Sequence, residues 1–213
     1  MKMNSINMSF SSPVLSFTVP DAAELNRKLI TEANALRDTS EGMTRSNQHG
    51  WHSENDLFKR PEEGFQTLCK HIITAFNATT KKVAPRFKLE EFNMQMEGWI
   101  NINQKGAYNT PHDHPGYVWS GCYYVNQPAV NQGRSGMIEF LDPRITARDM
   151  AILEAAPFAP KFKLRPEAGT LLVFPSYLFH WVYPNERDDE RMTIAWNGRY
   201  VRRKPKPAAE KAS

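Results

Sequence analysis

Near residue 90 the hydrophobic period of this chain changes from that of a helix to that of a strand, and few folds accommodate that change. Before it, Phe65, Leu68, Cys69, Ile72, Ile73 and Phe76 recur at helical spacing. They follow Pro61, Glu62 and Glu63, which place proline near the first helical position and acids in the first turn. An earlier helix is expected over 21–37, with Leu25, Leu29, Ile30, Ala33 and Leu36 on one stripe. Asp21 is its expected N-cap, and Glu24 three residues on completes a capping-box pattern. Residues 1–20 read as an extended lead-in, and 38–60 as a polar loop carrying Trp51, Leu57 and Phe58. After residue 90, Met94, Met96, Ile100 and Ile102 alternate with Gln95, Glu97, Trp99 and Asn101. Runs at 117–126, 136–141, 170–175, 178–183 and 191–201 are short, rich in aromatic or β-branched residues, and broken by Pro, Gly and Asn. Residues 146–155 hold at most one short helical turn. Helices followed by a run of short strands imply an α+β chain whose larger part is an all-β barrel or double-sheet roll.

A length of 213 residues implies one domain. Its expected extent is 1–200, mainly helical over 1–85 and β over 90–200, with a basic, disordered tail over 201–213. The formal net charge is +4, and Arg202, Arg203, Lys204, Lys206 and Lys211 in that tail account for the excess. A near-neutral body with a charged end does not make a nucleic-acid surface, so nucleic acid is not expected as a partner. Cys69 and Cys122 supply no disulfide framework, which fits a reducing cytoplasm. No apolar run approaches the ~20 residues of a membrane span, and no secretory signal is expected. A homodimer is admitted as the assembly.

Within TPHDHPGYVWSGCYY, residues 110–124, His112 and His114 stand two apart, a spacing that puts both imidazoles on one face of a strand. His180, on a later strand, can complete a site for a metal that accepts neutral imidazole: Fe, Zn, Cu or Ni. Asp113 points away from the pair on a regular strand, but the flanking prolines Pro111 and Pro115 can induce a bulge. The ligand set is therefore three histidines, or two with Asp113. His49 and His52 belong to the loop and read as structural or peripheral, and His71 falls off the apolar stripe of its helix. In RMTIAWNGRY, Arg191, Thr193, Ala195 and Asn197 share one face, and Met192, Ile194 and Trp196 the other. A guanidinium facing inward is costly without an anion, and a bound carboxylate would solve this. The plain alternative is an edge strand with Arg191 in water or paired with Asp188, Asp189 or Glu190. Tyr124 shares a face with Cys122 and Ser120 and can hydrogen-bond through its hydroxyl.

The order H-x-H, SGCYYVNQP, GMIEFLDPR, GTLLVFPSYLFHWVYPN and RMTIAWN resembles the Fe(II)/2-oxoglutarate-dependent dioxygenase superfamily, over roughly residues 45–198. The nearest branch is a set of bacterial and phage proteins of about this length, to which the segment SNQHGWHS is also similar. The resemblance implies a double-stranded β-helix, or jelly roll, with the N-terminal helices packed on it. It implies Fe(II) and 2-oxoglutarate as cofactors and the hydroxylation or other oxidation of a small-molecule or peptidyl substrate. His112 and His180 take the places of the first and distal metal ligands, and His114 stands where the superfamily has a carboxylate. Tyr124, Arg191 and Thr193 take the places of the 2-oxoglutarate-binding residues. A cupin-like three-histidine metalloprotein, or dioxygenase not using 2-oxoglutarate, is the main alternative; it needs neither Arg191 nor Thr193. A β-roll module with a structural metal would want four closed ligands, and only three good ones are present.

Overall fold

The computed structural model describes residues 3, 10–129 and 132–203. Among the described residues, eleven strands and two helices follow the expected order. The strands are β1 (Leu15–Thr18), β2 (Asn47–Gln48), β3 (Trp51–His52), β4 (Phe92–Asn103), β5 (Tyr108–His112), β6 (Trp119–Asn126), β7 (Ile138–Leu141), β8 (Lys161–Leu164), β9 (Thr170–Pro175), β10 (His180–Val182) and β11 (Arg191–Arg202). The helices are α1 (Ala22–Asp38) and α2 (Glu63–Val83), and a 3₁₀ segment covers Ile145–Leu153. All strand pairs are antiparallel. They form a six-stranded sheet, β1-β9-β6-β11-β4-β3, and a five-stranded sheet, β2-β5-β10-β7-β8.

The two faces of β11 explain its composition. Met192, Ile194 and Trp196 join Leu25, Leu29, Phe65, Leu68, Ile72 and Phe76 in the core under the two helices. The opposite face looks into the space between the sheets, where Tyr124, Leu172 and Phe174 meet Ile138, Phe140, Leu178 and Val182. Both faces of the six-stranded sheet are therefore covered, which is why its strands are less cleanly alternating than a sheet with one wet face.

Helix α2 starts with help from α1: the Glu32 carboxylate accepts from the Gly64 and Phe65 amides at 2.8 and 3.0 Å. This satisfies two of the otherwise unpaired first-turn donors and places an anion at the positive end of the helix. Asp21 does precede α1, but its backbone is left-handed (φ 51) and its side chain makes no capping bond, so the expected capping box does not form. The polar 38–60 segment contains the short strands β2 and β3, and β8 has no strand-like signal strong enough to stand out from its sequence. Strand β11 reaches Arg202, so the expected tail begins inside a strand; residues 204–213 lie outside the described residues. Among the described residues no helix is long and apolar enough to cross a membrane.

At Gly121 the flanking strands β9 and β11 leave no room for a side chain. A Cβ there would lie 2.4 Å from the Leu172 carbonyl oxygen and 2.4 Å from the Trp196 ring. Gly121→Ala is expected to destabilise the protein by about 1–3 kcal/mol, because backbone or a large buried ring must move. Chemical denaturation checks this.

Candidate active site

The register of the five-stranded sheet assembles one row of side chains. His112 on β5 pairs with His180 on β10, His180 with Phe140 on β7, and Phe140 with Phe162 on β8. Directly paired residues share a face, so the two imidazoles meet, with ring centroids 4.5 Å apart. His114 arrives differently. Strand β5 ends at His112, and the chain beyond it is held by the bond from the His114 amide to the Ser176 carbonyl, 3.0 Å. Its ring then lies 5.0 Å from His112 and 5.2 Å from His180. The three histidines offer ligand atoms all within 4.8 Å of one another. Asp113 is exposed and outside this cluster, so of the two ligand sets left open by the sequence, the structure brings together the three histidines.

Backbone carbonyls orient two of the rings. The His112 Nδ1 lies 2.6 Å from the Thr110 oxygen and the His180 Nδ1 2.7 Å from the Leu178 oxygen. A carbonyl only accepts, so each Nδ1 carries the proton and each Nε2 keeps its lone pair. The third ring rests on Asn197, whose Nδ2 is 3.4 Å from the His114 Nδ1. Asn197 accepts from Ser120 at 2.7 Å and donates to Glu97 at 3.1 Å. Trp99 tilts against His114 and stacks on His52 at 5.4 Å. His52 is thus peripheral, as expected, and His49 sits in the left-handed turn between β2 and β3.

Burial pushes the His114 and His180 imidazoles down to about 3, with the neighbouring His112 adding to the shift, and burial also lowers His112. All three are neutral near pH 7, as metal ligands must be. The sign of the resulting pH dependence follows. Between the unfolded value near 6.5 and the folded value near 3, the unfolded chain binds more protons than the folded one. Metal-free protein should therefore lose stability steadily as pH falls below about 6.5, the loss being complete near pH 3. Denaturation midpoints measured across that range should fall less steeply for His180→Asn than for wild type.

The second group of site residues lies on the six-stranded sheet. Thr193 on β11 pairs with Tyr124 on β6, and Arg191 enters one pleat further along. Arg191 is 1% exposed. Its Nε donates to Gln127 at 2.9 Å and its Nη1 to Thr193 at 3.5 Å, but its Nη2 is buried without a partner. The acids that might have neutralised it are engaged elsewhere or make no ion pair with it: Glu190 pairs with Arg37 at 2.7 Å and Asp188 with Lys105 at 2.8 Å. The guanidinium carbon stands 5.3 Å from the Tyr124 ring centre. Burial raises the Tyr124 phenol, so it keeps its proton, and its hydroxyl makes no hydrogen bond of ordinary geometry with Arg191 or Cys122 beside it. A buried cation and a buried hydroxyl on one wall thus keep donors that an anion could satisfy.

Sequence reasoning placed Asn197 on the same face as Arg191 but did not connect it to His114. Glu97, Ser120 and Ser176 were missed as its supports, since nothing local in the sequence links strands so far apart. Beyond Phe140 a cavity of about 390 Å³ opens, lined by apolar side chains including Val14, Phe162 and Leu178.

Fold and site together define a double-stranded β-helix protein with a half-buried histidine triad on one sheet and a buried, incompletely paired guanidinium on the other. Residues 97–197 match the sequence-family model described as "Putative 2OG-Fe(II) oxygenase". Among solved structures, a prolyl-4-hydroxylase of Pseudomonas putida is similar at a TM-score of 0.63 and 16% identity, covering 91% of this chain and 95% of that one. A prolyl hydroxylase of Trichoplax adhaerens, in complex with a hypoxia inducible factor peptide fragment, is similar at 0.64 and 12%, covering 87% and 82%. The epimerase SnoN from nogalamycin biosynthesis is similar at 0.61 and 12%, covering 88% and 77%. At these identities the likeness is one of fold. No curated protein matches in sequence.

Proposed function

We propose that the protein is an Fe(II)- and 2-oxoglutarate-dependent oxygenase that hydroxylates a small molecule or a peptidyl group. His112, His114 and His180 are its iron ligands, and Tyr124, Arg191 and Thr193 bind the distal carboxylate of 2-oxoglutarate. The observation that carries this reading is the buried, unpaired guanidinium of Arg191 between the same sheets as the triad. A three-histidine site without an acidic cosubstrate has no use for it. When bound, iron and 2-oxoglutarate supply dioxygen activation: the oxo acid is oxidised to succinate and carbon dioxide, and the second oxygen atom is available for the substrate.

The chain's own residues bind, orient and exclude water. His112 and His180 present Nε2 because their Nδ1 protons are committed to the Thr110 and Leu178 carbonyls. Asn197, anchored by Ser120 and Glu97, steadies the third ring. Tyr124 stays protonated and can donate to a carboxylate oxygen. Leu172, Phe174, Ile138 and Val182 close an apolar wall around the interior, which strengthens each polar contact made there. A cytoplasmic setting belongs to the same reading, supported by two cysteines that are both unpaired.

Anaerobic titration tests the reading. A visible charge-transfer band should appear only when Fe(II) and 2-oxoglutarate are both present, and air should then yield succinate. Iron binding with no response to 2-oxoglutarate would return the protein to the cupin-like class.

A further inference from the structure

The wall that carries Tyr124, Thr193 and Arg191 has a fourth polar side chain with nothing to do. Asn101 on β4 pairs directly with Thr193 on β11, and Thr193 pairs directly with Tyr124 on β6. The three side chains therefore share one face, with Thr193 in the middle, Tyr124 on one flank and Asn101 on the other. Asn101 is 5% exposed, its Oδ1 is buried without a partner, and its carboxamide forms no hydrogen bond with any described residue. Such a group is rare in a folded interior and calls for a ligand or a structural reason. Its neighbours already point to one: the Arg191 Nη2 and the Tyr124 hydroxyl are unpartnered polar atoms of the same wall.

We propose that Asn101 is a further cosubstrate-positioning residue, donating to the distal carboxylate oxygen of 2-oxoglutarate that faces away from Tyr124. This rests on the function proposed above. A carboxylate has about four acceptor sites on two oxygens, and Tyr124 and Arg191 approach from one flank. The other flank holds only Asn101 in that row of β4. A half-turn of its carboxamide exchanges oxygen for nitrogen at no change of shape, so the group can present N–H to the anion. Arg191 then supplies charge, while Asn101 and Tyr124 fix the plane of the carboxylate between them.

The test uses Fe(II)-loaded protein under anaerobic conditions, titrated with 2-oxoglutarate and separately with pyruvate, a 2-oxo acid lacking the distal carboxylate. Asn101→Leu keeps the volume and removes the donors. It should weaken 2-oxoglutarate binding about 10- to 100-fold, the value of a hydrogen bond to a charged group. Pyruvate binding should change by less than about twofold. Asn101→Ser, a smaller change to the packing, should weaken 2-oxoglutarate binding in the same direction. The proposal is overturned if both variants bind 2-oxoglutarate like wild type, or if pyruvate binding falls in parallel, since Asn101 would then act at the metal end. Arg191→Ala separates the two levels. If it too binds 2-oxoglutarate normally, the function proposed above is wrong. If it loses binding while the Asn101 variants keep it, only the role of Asn101 is wrong.

Discussion

Arg191→Ala protein should bind 2-oxoglutarate at least about 30-fold more weakly than wild type, the loss expected when one member of a buried, hydrogen-bonded charge pair is removed. The ligand-free protein should behave in the opposite way. Wild-type Arg191 is buried with a neutral Gln127, a distant Thr193 hydroxyl and an unpartnered Nη2. An uncompensated buried charge costs several kcal/mol, so Arg191→Met, which retains much of the volume, should be at least as stable as wild type without ligand. Only the wild type should then be stabilised by added 2-oxoglutarate, by about 2.7 kcal/mol at a hundredfold excess over Kd. Denaturation curves with and without 2-oxoglutarate measure both effects. An Arg191→Met protein that is strongly destabilised without ligand would mean that Arg191 is a structural residue and not a receptor waiting for an anion.

The second large effect concerns the triad. His180→Ala should lower Fe(II) or Co(II) affinity by more than the about 10–100-fold that loss of an outer hydrogen-bond partner costs, and should abolish the metal-induced rise in Tm. His180 has the most constrained ring of the three, packed by Phe140 and Phe174 and bonded to the Leu178 carbonyl. His114→Asp and His114→Ala distinguish the roles at the third position. Aspartate can still ligate, so it should retain metal binding that alanine loses. If His114→Ala binds the metal as tightly as wild type, His114 is not a ligand and the site must be completed by another group.

These sites differ in how far they could be read from the chain. The α2 stripe and the alternation of β11 were legible because each needs only neighbours along the sequence: a helix buries residues three and four apart, a strand those two apart. That Arg191, Thr193 and Asn197 share one face of β11 was legible on the same ground, but not that this face turns inward, for an edge strand with Arg191 in water fits the same alternation. Strands β2 and β3, two residues each, had no such pattern; they exist because β5 and β4 offer free edges to pair with. The failed cap at Asp21 is of the same kind, for the residue stands where a cap belongs but its backbone is left-handed and its side chain makes no capping bond.

The choice between His114 and Asp113 shows the boundary. Periodicity along the chain determined that His112 and His114 share a face on a regular strand and that an aspartate between them does not. It could not say whether the strand continues that far. In the folded protein β5 stops at His112, and the bond from the His114 amide to Ser176, on a segment more than sixty residues later, directs the next turn of chain toward His180. Local order along a chain follows from the stereochemistry of adjacent residues. Convergence of distant residues follows from strand register, and register is set by the packing of both sheets at once. The residue types suited to hold a metal and an acid were therefore present in the sequence, while the identity of the third imidazole's neighbours, and the idle carboxamide of Asn101 beside Thr193, emerged only when β4, β6 and β11 lay side by side.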